Sequence, residues 1–168
     1  MSRGTIVNRD ELDWTERDHD DTFVLARKRL ALAAGGDHLG CTLFQIPPDK
    51  RAHPYHFHYG NEEALYILAG EGVLRLAGDH HEIEAGDYCA LPMGDAGAHQ
   101  VINTGDEPLE YLAMSTMRDP DIIYYPDSDK LLCAAEQAPE RWQLVPGDVE
   151  LDYWDGEDAS ALPPVSGE

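Results

Sequence analysis

From about residue 39 the chain alternates short apolar or half-apolar runs with turn residues. LGCTLFQI, EALYILAG, GVLRLAG, EIEAGDYCALP, HQVIN and LEYLAMST follow one another at the spacing of roughly 8 to 12 residues that an antiparallel sandwich or barrel produces. Within GVLRLAG, Leu74 and Leu76 fall on one face and Val73 and Arg75 on the other, the two-residue period of a half-buried strand. Between the runs, Gly70-Glu71-Gly72, Gly78-Asp79, Gly86-Asp87 and Thr104-Gly105-Asp106 supply residues that tolerate the positive φ of tight hairpins. Helix-length periodic segments are scarce. The pattern predicts an all-β fold, with ARKRLALAAGG fitting a short helix or an entering strand equally well.

Length and charge narrow this picture. At 168 residues and 42% hydrophobic, the chain suits one domain with a real core. It holds no apolar run of about 18 residues, and MSRGTIVNRDELDWTERDHDD carries no hydrophobic segment. Neither a transmembrane helix nor a signal peptide is expected, and the expectation is a soluble cytoplasmic protein.

Thirty-three acidic residues stand against 12 basic ones, a formal charge of -21 and a pI near 4.4. Binding to nucleic-acid phosphates needs a basic surface, so that class is excluded, and anionic membranes are disfavoured likewise. The acids are spread along the chain, and only Lys28, Lys50 and Lys130 are lysines. Molar salt shortens the Debye length to about 3 Å and screens such repulsion, which suggests a salt-adapted, halophilic cytoplasm; an ordinarily acidic protein is the alternative. Cys41, Cys89 and Cys133 are odd in number and lack a CxxC pair, so they read as buried thiols.

The chemistry concentrates in HPYHFHYGNEEALYILAGEGVLRL, residues 53–76. His56 and His58, two apart, share one face of a strand. Glu63 follows before an apolar run, and His99 comes later in AGDYCALPMGDAGAHQVIN. Three imidazoles and one carboxylate on the inner wall of a small barrel make a mixed nitrogen–oxygen site suited to one divalent Mn, Fe, Ni, Co or Zn, with positions left open for a ligand. Without a cation, desolvating so many titratable groups would be costly.

These residues resemble the cupin superfamily. Its first motif, His-x-His, three or four residues, Glu, six residues, Gly, is matched by His56, His58, Glu63 and Gly70. Its second motif is similar to Gly86, Pro92-Met93-Gly94, His99 and Asn103. The wider segment, with STMRDPDIIYYPDSDK and DYWDGE, looks like a group of single-domain cupins known mostly as uncharacterised. The resemblance implies a double-stranded β-helix, or jelly roll, with His56, His58, Glu63 and His99 as metal ligands and Asn103 supporting the second-motif loop. Glu62 competes with Glu63, but only Glu63 leaves six residues before Gly70. Two departures stand out: Lys50 replaces an expected glycine, and Asp95 to Ala98 lengthen the loop before His99.

The organisation expected is an N-terminal extension over 1–21, the barrel over 22–118, a C-terminal extension packing on it over 119–157 and a disordered acidic tail over 158–168. Cupins commonly pair through edge strands, so a homodimer is implied. The function implied is that of a divalent-metal-binding protein acting on a small organic or sugar-derived substrate as a dioxygenase or isomerase. The alternative is a non-enzymatic binder or sensor of a small molecule or metal.

The remaining candidates have plainer readings. His53 reads as an exposed loop histidine pointing away from the ligand face, and His19, His38, His80 and His81 as solvated. Of Tyr55, Phe57, Tyr59, Tyr66 and Tyr88, one or two would line a pocket. DPDIIYYPDSDK suggests a surface crossing or an edge strand at a subunit contact. Glu62, Tyr66 and His53 are candidates for proton transfer, and no catalytic residue is assigned.

Overall fold

The computed structural model describes residues 5–136 and 141–156, and over them the chain is built almost wholly of strands. A six-stranded antiparallel sheet runs in the order β1 (Thr15–His19), β2 (Phe23–Arg29), β3 (Gly40–Ile46), β10 (Leu109–Ser115), β5 (Glu63–Ala69) and β8 (Tyr88–Leu91). A three-stranded sheet orders β7 (Asp79–Glu84), β6 (Glu71–Leu76) and β9 (His99–Ile102). A four-stranded sheet orders β13 (Trp142–Pro146), β12 (Lys130–Ala134), β11 (Asp121–Tyr125) and β4 (Phe57–His58). Bridges from Arg51 to Ile102 and from His56 to His99 link the two smaller sheets through the segment that enters β4. The architecture is an all-β jelly roll.

Alternation along the strands aims the core inward. On β5, Leu65 and Ile67 are buried while Tyr66 and Leu68 face out. Leu74 on β6 likewise turns inward at 1% exposure, as the period of GVLRLAG predicts. Leu25, Ile46, Leu91, Val101 and Leu109 complete a cluster between the large sheet and the three-stranded one. Each such side chain stabilises the fold by about 1.5–3 kcal/mol. Asn103, 1% exposed, is accommodated because its amide donates to the carbonyls of Ile46 and Glu107 at 2.8 Å and accepts from Gly105 N–H at 3.0 Å.

Several local expectations resolve differently. ARKRLALAAGG is both strand and helix: β2 runs to Arg29, and one helical turn, α1 (Leu30–Ala33), packs against β3. Where Lys50 stands in place of glycine, the positive φ falls on Asp49, at 61°, and the Lys50 ammonium binds Asp21 at 2.7 Å. The DPDIIYY segment forms β11, flanked on both sides by β12 and β4, so it is an inner strand and not an edge. Cys133 is exposed, Cys41 and Cys89 are half-buried, and none is paired. The tail at 158–168 lies outside the described residues. Among those described, no helix is long and apolar enough to cross a membrane.

Candidate metal centre

The segment into β4 alternates sharply. Tyr55 and Phe57 pack with Ala98 and Tyr124 in a second small cluster, which sends His56 and His58 to the opposite side, into the barrel mouth. Glu63 opens β5 on the same inward face as Leu65 and Ile67, whereas Glu62 is exposed, its N–H donating to the Thr116 hydroxyl. Of the two glutamates, Glu63 is the one that faces the histidines. His99 opens β9 directly across from His56.

The four side chains converge. Glu63 Oε2 lies 3.3 Å from His58 Nε2 and 3.6 Å from His99 Nε2. The His56 ring stands 4.5 Å from that of His99 and 5.3 Å from that of His58, centroid to centroid. One ligand atom each from His56, His58 and Glu63 fall within 4.8 Å of one another.

Each imidazole is held by its other nitrogen. His56 Nδ1 lies 2.8 Å from the Pro54 carbonyl and His99 Nδ1 2.9 Å from the Gly97 carbonyl. A carbonyl only accepts, so both Nδ1 atoms carry the proton and both Nε2 atoms offer a lone pair. His58 Nδ1 lies 2.6 Å from Asp121 Oδ2, and Asp121 Oδ1 accepts from Gly60 N–H at 3.0 Å. Imidazoles oriented by carbonyls and a carboxylate in this way are the usual support of metal-ligating histidines.

The lengthened loop has a role in this. Asp95–Gly97 form a 3-10 turn entered through Gly94, whose φ of 83° belongs to glycine. A Cβ on Gly97 would collide with the Pro92 carbonyl, so only glycine lets the turn close and present its carbonyl to His99.

Electrostatics favour the neutral forms of His56 and His99. Burial, reinforced by His99 and His58, holds the His56 pKa well below the ordinary histidine value. Burial also lowers His99, although Glu63 opposes it. At His58 desolvation is outweighed by the Asp121 hydrogen bond and the Glu63 charge, and its pKa is raised. The imidazoles of His56, His58 and His99 gathered around the Glu63 carboxylate are a donor set that fits a divalent transition metal.

A cavity of about 1000 Å³ opens over this cluster, with Thr42, Phe44, Asn61, Glu63, Arg118 and Asp121 in its wall. Tyr59, Tyr66 and Tyr88 are exposed and Tyr55 and Phe57 are packed away, so none of the five aromatics suggested by the sequence lines it. Tyr125 instead stacks on His56 at 5.8 Å.

His53 departs from its expected place. Its carbonyl accepts from the Gln100 amide at 2.8 Å, and Ala52 N–H bonds Val101, which pins the loop to β9 and turns the ring inward. The ring meets Phe44 edge-on at 5.4 Å and lies 6.1 Å from His56. Burial, with the charge of Arg17, lowers its pKa to about 4. Of the three proton-transfer candidates His53 reaches the cluster, while Glu62 and Tyr66 face outward. Asp121 was missed because it lies 63 residues from its histidine; nothing local in DPDIIYY marks it.

Residues 42–115 match the cupin domain family. A crystal structure from Acidithiobacillus ferrooxidans, provisionally named a sugar phosphate isomerase, is 31% identical with a TM-score of 0.77, over 87% of this chain and 95% of its own. The chain belongs to the cupin superfamily. This cupin is also similar to a Thermotoga maritima structure described as a predicted oxalate decarboxylase, with 26% identity and a TM-score of 0.58 over 68% of this chain and all of that one. A Thermotoga maritima oxalate-binding protein is 44% identical over 70 residues, 42% of this chain and 55% of that protein. This cupin thus spans about half the length of the curated relatives it matches.

Proposed function

We propose that this cupin holds one divalent transition metal on His56, His58, Glu63 and His99 and acts as a metal-dependent isomerase on a small sugar-derived substrate. The observation that carries the reading is the alignment of the imidazoles toward Glu63, two with Nε2 lone pairs set by backbone carbonyls and the third tied to Asp121. A bound Mn, Fe, Ni, Co or Zn would supply Lewis acidity toward substrate oxygens.

The chain's own residues supply the rest. Asp121 holds His58 in position, Tyr125 stacks on His56, and Phe44 packs edge-on against His53. His53 is uncharged at neutral pH, and one of its ring nitrogens takes the proton from the hydroxyl-bearing substrate carbon beside the carbonyl and returns it to the carbonyl carbon, while the hydroxyl proton passes to the former carbonyl oxygen. The similarity to the Acidithiobacillus protein favours isomerisation over dioxygenation, since it extends over most of both chains.

A second reading, stand-alone binding of a small oxyanion without turnover, is favoured by the likeness to the Thermotoga oxalate-binding protein. Metal content by plasma mass spectrometry, on protein purified without chelators or nickel resin, tests the shared premise. About one metal per chain in wild type and little in His56→Ala/His58→Ala is expected; no metal in either, even after reconstitution, overturns it. Solvent deuterium entering aldose or ketose substrates, with oxygen uptake followed in parallel, separates isomerase from dioxygenase. Binding without exchange or uptake leaves the second reading.

A further inference from the structure

The sheet face that carries the cavity wall continues beyond β3. Directly opposed residues of an antiparallel pair share a face, so Thr42 and Phe44, which line the cavity, extend that face to their β2 partners Arg29 and Arg27. Arg27 in turn opposes Thr15, and Leu25 opposes Arg17, which sets Arg17 diagonal to Arg27. Leu25, 2% exposed, marks this face as the inner one. The charges of Arg17 and Arg27 are both felt at His53, and that of Arg17 also at Tyr125. These are the two side chains packed beside His56.

Neither guanidinium has a carboxylate partner among the described residues. Among the described residues Arg9, Lys50 and Arg75 form ion pairs with acids, Arg75 gripping Asp127 through two nitrogens at 2.6 and 3.0 Å. Arg17, Arg27 and Arg29 form none, in a chain with 33 acidic residues to choose from. Burial and the proximity of Arg29 and Arg17 lower the pKa of Arg27, the sign of cations assembled without a counterion. The molecule as a whole, at a formal charge of -21, repels anions, so any attraction for one must be local.

The geometry points to an anion subsite formed by Arg17 and Arg27 at the barrel mouth, which takes the phosphate of a small phosphate monoester whose carbonyl and hydroxyl oxygens face the histidine cluster. Two fixed cations match a dianion, and guanidinium forks present paired donors to phosphate oxygens. Arg29, on the rim, adds to the field that draws the substrate in. The inference deepens the isomerase reading and rests on its choice of this cavity as the substrate site.

The test is calorimetric titration of methyl phosphate at fixed ionic strength into wild type, Arg17→Gln/Arg27→Gln and, as a control outside the cavity wall, Arg75→Gln, each with Mn2+ and after EDTA treatment. Wild type binds in both states. The double variant loses at least about tenfold, equivalent to about 1.4 kcal/mol, in both states while its Mn2+ uptake is unchanged, and Arg75→Gln loses little. Arg17 lies on an exposed strand, so Arg17→Gln alone, with a several-fold loss, serves should the double variant fail to fold. Binding unchanged in the arginine variants, binding by wild type only when Mn2+ is present, or acetate bound as tightly as methyl phosphate would each overturn the subsite. Methyl phosphate binding that follows the arginines with no Mn2+ uptake at all upholds the subsite and overturns the metal centre instead.

Discussion

The two ends of the barrel interior are made by the same strands and do opposite work. Along the inward face β5 reads Glu63, Leu65, Ile67; β3 reads Thr42, Phe44, Ile46; β10 reads Ser115, Ala113, Tyr111, Leu109. At one end Ile46 and Leu109 are wholly buried, and their contribution is removal of carbon from water. At the other, the His56 and His99 imidazoles sit where desolvation disfavours their charged forms. The alternation of a strand decides which residues face in, and position along the strand decides whether they serve stability or chemistry.

The division predicts separable effects. Ile67→Ala, at the apolar end, should have the largest consequence for folding, about 2–5 kcal/mol by urea denaturation, with metal content per folded chain unchanged. Metal lost in step with stability would break the division.

Asp121→Asn, at the polar end, should leave the urea midpoint nearly unmoved yet weaken metal binding about 10–100-fold in a competitive chelator titration, because His58 loses its orienting carboxylate. Equal affinity in the variant would mean that Asp121 supports only the strand.

The metal-free protein should lose stability as pH falls from about 6.5 toward about 4. His53 titrates at about 4 in the fold against 6.5 for the ordinary residue, so across that window the unfolded chain binds a proton that the folded one does not. Acidification therefore favours unfolding. His56 and His99, also lowered, act in the same direction. His58, raised, acts oppositely, adding stability that is lost as pH rises through its folded pKa. Urea midpoints across this range on EDTA-treated protein should fall with pH, and fall less in His53→Gln. A flat profile in wild type would mean that the mouth is wetter than its packing shows.

The smallest effect is expected at Glu62. Glu62→Gln should alter stability by no more than about 0.5 kcal/mol and leave metal content intact, whereas Glu63→Gln should lower metal content.

Much of this was legible in the chain. The turn spacing and the period of GVLRLAG carried the all-β class, and the spacing from Glu63 to Gly70 pointed to the glutamate that the barrel turns inward. Other residues were not legible, for reasons that differ. His53 was placed on the wrong side because its orientation depends on Gln100, 47 positions away, holding its carbonyl. DPDIIYY was read as a surface crossing or an edge strand because its Pro and Asp punctuation is local, while its two neighbouring strands are not. The pocket aromatics were misjudged because the residues beside the ligands, Tyr55 and Phe57, alternate away from them.

By itself the sequence determined the all-β class and the shared face of His56 and His58, which follow from short-range periodicity, and it carried the cupin motifs, whose resemblance implied Glu63 and His99 beside them. Only the tertiary structure decided that Asp121 holds His58, that His53 is enclosed, and that Arg17 and Arg27 stand unpaired beside the mouth. Those relations depend on the register between strands distant in the chain, and packing of the whole barrel sets that register.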